Sequence, residues 1–144
     1  RAVSHATYEQ QENGKVVFEG IVALAKACLA AGIPVGLGTD TGCPYITHYD
    51  MWRELCYFVK FCEVTPAFAI YSATLGNARL AGISEETGSV EVGKEADLLV
   101  CGKNPLEDLT ALRRLDMVIK GGLRVERPQV KKMSEVEQEL DKFL

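Results

Sequence analysis

The first part of the chain changes from an irregular polar segment to a helical pattern. Residues from Arg1 to about Asn13 are polar and follow no period, so we expect a loop there. From Lys15 onward, apolar residues recur at the i, i+3, i+4 and i+7 positions of one helix face, and Gly32 supplies a stop. These apolar residues are Phe18, Ile21, Val22, Ala25, Cys28 and Leu29. The pattern predicts a first helix that ends just before Gly32.

A second helical pattern extends from Met51 to Cys62. Its apolar stripe consists of Trp52, Leu55, Val59 and Cys62, and Cys56 also fits the inner surface of the helix. The stripe predicts that Trp52 lies in the core. Arg53 and Glu54 fall outside the stripe, so we expect them on a solvated helix surface rather than in a substrate clamp.

A third helix is predicted from Pro66 to about Ala81. Thr65 is a suitable N-cap, and Pro66 stands at the first helical position, where its missing N–H is not needed. Apolar residues then continue at helical spacing until Gly82, which predicts the end of this helix.

Between the first two helices, the segment GIPVGLGTD (Gly32 to Asp40) predicts a strand. Successive strand residues point to opposite faces. One face has Ile33, Val35, Leu37 and Thr39, and the other has Pro34, Gly36, Gly38 and Asp40. We expect the branched face to pack under helices and the nearly bare face to let neighbouring groups approach. The helix–strand order is typical of a parallel α/β sheet or barrel, in which sites gather at the C-terminal ends of strands, the position of Asp40.

Beyond Ser84 the pattern changes to that of strands. Val90 and Val92 alternate before a Gly93-Lys94 turn, and residues 96–100 form an apolar run. Residues 117–119 and 123–125 flank Gly121-Gly122 as a hairpin, while Asn104-Pro105 marks a turn before a short helical excursion over residues 106–112. This part of the chain is predicted to be a small antiparallel β unit.

The tail predicts one more helix. Ser134-x-x-Glu137 resembles a capping box ahead of the apolar residues Val136, Leu140 and Phe143. We therefore expect a short amphipathic helix at the C-terminal end.

Composition narrows the class of protein. The net charge of −4 carries no basic patch, which argues against a nucleic-acid partner. Five cysteines (Cys28, Cys43, Cys56, Cys62 and Cys101) form no C-x-x-C pair, so neither a disulfide framework nor a zinc knuckle is indicated and a cytoplasmic location is expected. The longest apolar stretch, Ile21 to Leu29, is too short to cross a membrane. Because the chain starts with Arg1, we expect a processed or incomplete product.

Few side chains are candidates for chemistry. Asp40 taken alone has an ordinary explanation, since an aspartate after a strand commonly caps a turn. His48 follows in a loop and is either a substrate contact or, as we favour, a solvent-exposed histidine. Cys43 has no base positioned beside it in the sequence and is expected to be a passive thiol. His5 lies in the irregular leader and receives no role.

The order of the segments along the chain is more specific evidence for a family than any single residue. AGIPVGLGTDTG, MWREL, TPAFAIYSATLGNARLAG, GSVEVGKEADLLV, NPLEDL and VIKGGLRV follow one another at short intervals. From Phe18 to Val125 this succession resembles the C-terminal third of the metal-dependent amidohydrolase superfamily, in particular its imidazolonepropionase-like and prolidase-like branch. The pattern Gly-x-x-x-x-Gly-Lys-x-Ala-Asp-Leu from Gly88 to Leu98 is the most specific part of the resemblance.

The resemblance implies a fold of the α/β class, namely the C-terminal fragment of a (β/α)8 TIM-like barrel with part of a small β-sandwich. Residues 1–82 would be the last part of the barrel, with GIPVGLGTD as its eighth strand and Pro66 to Ala81 as its final helix. Residues 83–128 would belong to the sandwich, and residues 129–144 would be the C-terminal helix or tail.

The resemblance also implies a role for Asp40. In this family one or two divalent metals lie at the C-terminal mouth of the barrel, and zinc is the metal we expect. Asp40 would contact the metal, take a proton from a water molecule that the metal activates, and pass it to the leaving amine. The substrate would be a small amide, a cyclic amide or an N-acyl amino acid; deamination and dipeptide cleavage use the same kind of centre.

Most of the family's metal ligands have no counterpart in this chain. The His-x-His pair, the lysine or glutamate and the further histidines are missing, and His5 and His48 are not paired. Because a catalytic zinc site normally needs three protein ligands, the chain alone is expected to be inactive. The alternative is a non-catalytic structural or interaction remnant. In either case, unpaired edges predict association with the missing N-terminal part of the barrel or with another copy of the chain.

Overall fold

A computed structural model describes residues 7–42 and 46–144 of the chain. The chain divides into two compact units, one of residues up to Val35 with Lys132–Leu144 and the other of Gly36–Lys131. The predictions for His5 and Cys43 fall outside the described residues. Among the residues that are described, no helix combines the length and the apolar character needed to cross a membrane.

The first unit contains a long helix, α1 (Tyr8–Ala30), which starts earlier than predicted. The Thr7 hydroxyl accepts a hydrogen bond from the Gln10 N–H at 3.3 Å, and the Gln10 side chain accepts one from the Thr7 N–H at 2.8 Å. This capping box satisfies two N-terminal donors, so the predicted loop is wrong from Tyr8 to Asn13. The stop at Gly32 is confirmed, with a left-handed φ of 71°.

The same unit contains the predicted C-terminal helix, α5 (Ser134–Asp141). Its predicted capping box is wrong, because Met133 is the N-cap residue and makes no side-chain cap bond. Ser134 already lies inside the helix. Val136 is buried, whereas Phe143 lies beyond the helix end and is exposed.

The second unit begins within the predicted strand. Burial alternates as predicted, with Val35, Leu37 and Thr39 half-buried and the intervening residues exposed. Yet residues 33–40 belong to no sheet of the described chain, so the strand is not formed as predicted. A parallel strand needs neighbouring strands for its backbone hydrogen bonds, and the described sheet is a separate antiparallel one.

Helix α2 (Met51–Cys62) has the predicted bounds and supplies the largest buried side chains of the second unit. Trp52 is buried as predicted, together with Leu55 and Phe58. Arg53 contradicts its prediction, because only 2% of the residue is exposed. A nearby carboxylate, described below, explains how this charge is accommodated.

The third predicted helix is confirmed in extent but contains an irregular turn. It comprises α3 (Pro66–Tyr71), a π-helical segment (Ser72–Gly76) and α4 (Asn77–Leu80). The Thr65 hydroxyl caps its first turn by accepting the Phe68 N–H at 3.2 Å, as predicted. The π-helical segment was not predicted; such segments interrupt α-helices and frequently occur at functional sites.

The β unit is an antiparallel sheet of three strands in the order β1 (Leu98–Cys101), β2 (Leu115–Lys120) and β3 (Leu123–Glu126). The predicted hairpin is confirmed at Gly121-Gly122, where both φ angles are positive, as the tight turn requires. The predicted strand at Val90 and Val92 is wrong: both are exposed and lie outside the sheet. The helical excursion is a 3-10 helix (Leu109–Arg113).

Candidate functional site

Asp40 lies at the end of the segment GIPVGLGTD, where the chain turns. Its φ of 51° is left-handed, a conformation that aspartate tolerates better than most residues. The residue is exposed, and the hydroxyl groups of Thr39 and Thr41 on either side of it are hydrogen-bonded to each other at 2.7 Å. A carboxylate in this position is accessible to a ligand or to another polypeptide.

His48 lies in the loop that leads to α2. It is exposed, and its ring makes an edge-to-face contact with Tyr49 at a centroid distance of 5.2 Å. Residues 43–45, between Asp40 and His48, are outside the described chain. The contact with Tyr49 is compatible with either interpretation of His48, so its role as a substrate contact stays a prediction.

A buried carboxylate, Asp50, anchors this loop to α2. Thr47 donates its hydroxyl to Oδ2 of Asp50 at 2.6 Å, and the Trp52 indole donates Nε1–H to Oδ1 at 3.1 Å. Nε of Arg53 lies 3.4 Å from Oδ2, which explains why this guanidinium is buried. Sequence reasoning missed Asp50; a threonine three residues before an aspartate that directly precedes a helix was the available clue.

Two guanidinium groups lie over the Trp52 ring. Arg53 stands 4.5 Å from the ring centroid and Arg113, from the 3-10 helix, stands 5.3 Å away. Cation–π contacts of this kind are worth about 0.5–2 kcal/mol each, more where water is excluded. The Arg113 contact links α2 to the 3-10 helix.

Two titratable side chains of α2 are perturbed by burial. Desolvation raises the pKa of Glu54 above its ordinary value. Desolvation is also the main reason why the pKa of Cys56 is raised; the Asp108 charge adds to the rise and the Arg53 charge opposes it. A raised thiol pKa makes Cys56 less nucleophilic, which agrees with a packing role.

A side-chain amide contacts the segment that carries Asp40. Asn77, the first residue of α4, accepts the Leu37 N–H at 3.0 Å and donates to the Leu37 carbonyl at 2.8 Å. A Cβ atom on Gly36 would lie 2.5 Å from the Asn77 Oδ1 atom. The bare glycine face therefore admits a neighbouring group, as the strand pattern predicts.

A groove of about 780 Å³ lies between α2, the π-helical segment and the β unit. Its lining is mainly apolar and includes Leu55, Ala73, Ala78, Leu98 and Leu115. Within residues 7–42 and 46–144, no cluster of three or more histidine, cysteine or acidic side chains could bind a metal ion. The described residues therefore leave the Asp40 carboxylate exposed but do not form a closed metal site around it.

A sequence profile of the amidohydrolase family matches residues 11–125. The chain belongs to the amidohydrolase family. Among curated proteins, it is 30% identical over 94 residues to imidazolonepropionase of Thermoplasma acidophilum, which covers 65% of this chain. It is 38% identical over 87 residues to 5-methylthioadenosine/S-adenosylhomocysteine deaminase of Moorella thermoacetica, which covers 55% of this chain.

Solved structures similar to this chain are consistent with its membership of the amidohydrolase family. A prolidase-like protein of Bifidobacterium longum superimposes with a TM-score of 0.91 at 43% identity, over 96% of this chain and 34% of that one. Ochratoxinase of A. niger superimposes with a TM-score of 0.68 at 28% identity, over 87% of this chain and 29% of that one. The amidohydrolase chain described here spans 23% of the Thermoplasma relative and 20% of the Moorella relative.

The amidohydrolase pattern from Gly88 to Leu98 has a structural role in this chain. Oδ2 of Asp97 accepts a hydrogen bond from Lys120 Nζ at 2.6 Å, and Oδ1 accepts the Gly121 N–H at 2.8 Å. The bond from Lys120, followed by the bond from Gly121, lowers the pKa of Asp97. Asp97 thus stabilises the turn between β2 and β3.

Proposed function

We propose that this chain is the C-terminal part of a metal-dependent hydrolase that cleaves carbon–nitrogen bonds. The observation that carries the proposal is the exposed Asp40 carboxylate, at the end of GIPVGLGTD and inside the region that matches the amidohydrolase family. Similarity to an N-substituted formamide deformylase of Arthrobacter pascens, 31% identical over 114 residues, supports the same class. The substrate proposed is a small amide, a cyclic amide or an N-acyl amino acid.

Asp40 is proposed as the general base and acid of this reaction. A carboxylate can take a proton from the attacking water and then deliver it to the leaving nitrogen, which is a poor leaving group until it is protonated. The position of Asp40 at an exposed turn supports both transfers, because water and substrate can reach it. His48, also exposed, is the proposed substrate contact from the following loop.

The metal, proposed to be zinc, does not fit the described residues by themselves. Asp40 offers one carboxylate, and no cluster of three ligand-type side chains occurs within the described part of the chain. Catalytic zinc sites usually have three protein ligands. We therefore assign the remaining ligands to polypeptide outside this chain and expect the isolated chain to be inactive.

Removing the metal tests the proposed function. Dialysis of the full-length protein against a chelator should lower its hydrolysis of N-acyl amino acids and dipeptides by more than about 100-fold, since metal catalysis is worth several kcal/mol. Added Zn²⁺ should restore activity, and protein dialysed without chelator is the control. Undiminished turnover in protein shown by elemental analysis to be metal-free would contradict the proposal.

A non-catalytic remnant is the second candidate, favoured by the incomplete ligand set of the described chain. The two candidates differ in what precedes Arg1. A coding sequence with an upstream His-x-His pair supports the hydrolase. A natural polypeptide that begins at this boundary supports the remnant.

We propose that the apolar surface of α1 is covered by the rest of the hydrolase or by a second copy of the chain. Val16, Ile21 and Leu24 are 67%, 61% and 66% exposed, and α1 has no buried residue. Light scattering after size-exclusion chromatography should show dimers or larger species of the 144-residue chain. The double change Ile21→Lys and Leu24→Lys should shift it to monomer. A compact monomer of the unaltered chain would contradict this proposal.

A further inference from the structure

One side chain makes both backbone hydrogen bonds of Leu37. Oδ1 of Asn77 accepts the Leu37 N–H at 3.0 Å, while Nδ2 of Asn77 donates to the Leu37 carbonyl at 2.8 Å. A residue of a neighbouring antiparallel strand would offer the same pair of bonds. We infer that Asn77 is a positioning residue that holds the segment 36–40 in place and thereby sets the location of Asp40. This inference rests on the proposed function of Asp40.

The π-helical segment presents Asn77 to this segment. A π turn holds more residues than an α turn, so it changes the direction in which the residues that follow it point. Asn77 comes directly after Ser72–Gly76, and its Nδ2 atom also lies 3.5 Å from the Ala73 carbonyl. Within the segment, the Thr74 hydroxyl donates to the Ile70 carbonyl at 2.7 Å. These bonds fix the helix from which the amide projects.

Gly36 makes the contact sterically possible. A Cβ atom at this position would lie 2.5 Å from the Asn77 Oδ1 atom and 2.9 Å from Cδ1 of Leu80. Real Cβ atoms do not approach other heavy atoms this closely, so any larger residue at position 36 must displace Asn77 and Leu80 or the backbone. Positions 36 and 77 therefore act as one unit, although 40 residues separate Leu37 from its partner.

Placement of a catalytic carboxylate has a large effect on rate. A displacement of about 1 Å caused by a distant substitution can lower the rate about 100-fold. Asp40 is three residues beyond Leu37 and stands in a left-handed turn, so movement at Leu37 is passed along a short length of backbone. Loss of the Asn77 amide should therefore lower kcat more than it changes KM.

The first experiment replaces Asn77 with alanine in the full-length protein. We expect kcat to fall about 100-fold with KM changed less than about threefold. Hydrogen exchange at the amides of residues 37–40 should become at least about 10-fold faster. Without Asn77, this segment can open without first breaking the two hydrogen bonds that hold Leu37, so opening costs less free energy. Asn104→Ala is the matched control, since Asn104 also makes two amide hydrogen bonds, to Leu106 and Glu107. It should change neither measurement.

The second experiment separates positioning from general damage. Gly36→Ala should lower kcat as Asn77→Ala does, and the two losses should not add in the double variant, because removing the amide relieves the closer of the two contacts of the new methyl group and leaves only the flexible end of Leu80 to move. Additive losses would overturn the coupling of these positions. Unchanged exchange at residues 37–40 in Asn77→Ala would overturn the inference.

The exchange measurement also distinguishes this inference from the proposed function. If the unaltered protein hydrolyses no carbon–nitrogen bond, the proposed function fails. Faster exchange from Leu37 to Asp40 in Asn77→Ala then still supports the positioning role, and unchanged exchange overturns it. If the unaltered protein is active, and Asn77→Ala exchanges faster at residues 37–40 but keeps the same kcat, then Asn77 does not set the catalytic position of Asp40.

Discussion

Replacing Asp40 with asparagine in the full-length protein should lower the kcat of the proposed hydrolysis by about 1,000-fold or more, because general acid–base catalysis alone contributes about 100-fold to 10,000-fold. Asparagine keeps the size of the side chain and tolerates the left-handed turn that Asp40 occupies. It cannot take up the proton, and it is a weaker metal ligand than a carboxylate. The variant should therefore separate chemistry from folding.

The fold should be almost unaffected by this substitution. Asp40 is exposed, and surface substitutions usually change stability by less than about 0.5 kcal/mol. Steady-state kinetics gives the effect on kcat, and a melting curve gives the effect on stability. Asp116→Asn, at another exposed aspartate, is the matched control and should retain activity. A fully active Asp40→Asn enzyme would remove Asp40 from the mechanism.

Replacing Trp52 with alanine should lower the free energy of unfolding by about 3–5 kcal/mol, the range found for large aromatic side chains removed from cores. Trp52 is 5% exposed and combines three contributions: ring packing, the indole hydrogen bond to Asp50 and the stacked guanidinium of Arg53. All three are lost together in alanine. We expect this to be the most destabilising single substitution proposed for the chain.

Trp52→Phe separates these contributions. Phenylalanine keeps much of the ring packing but leaves Oδ1 of Asp50 without the indole donor, which should cost about 1–3 kcal/mol. Denaturation followed by far-ultraviolet circular dichroism measures both variants, since Trp52 is the single tryptophan and its replacement removes the fluorescence probe. Phe143→Ala, at a residue 56% exposed, should cost less than about 0.5 kcal/mol. A loss below about 1 kcal/mol for Trp52→Ala would show that the ring is not a core element.

Local patterns predicted the helices well because the relevant information is local. The apolar stripe of α2 and the Thr65 cap each depend on residues within one or two turns, and both are confirmed. The predicted start of α1 was wrong because the local signal there is polar. Thr7 and Gln10 form a local capping box inside a polar segment where an apolar pattern could not reveal it.

Features that depend on distant partners could not be predicted in this way. Arg53 is buried because Asp50 lies beside it, and helical period alone assigns charged residues to the surface. Val90 and Val92 alternate like strand residues, but alternation cannot tell whether another strand lies next to them. The order of motifs identified the family, whereas the role of Asp40 stays a prediction. The glycine face of GIPVGLGTD indicated a close neighbour without revealing that it is Asn77.

The π-helical segment sets the rotation about the helix axis at which Asn77 emerges. Each residue of a regular α-helix advances the chain by about 100° around the axis. If Ser72–Gly76 became α-helical with all five residues kept, the helix beyond it would rotate further and the Asn77 amide would turn away from Leu37. An in-frame deletion of one codon in this segment would offset that rotation, because four residues of an α-helix cover about the same angle as five residues of a wider π turn. A deletion of one residue here should therefore disturb the Asn77 contact less than an insertion of one residue.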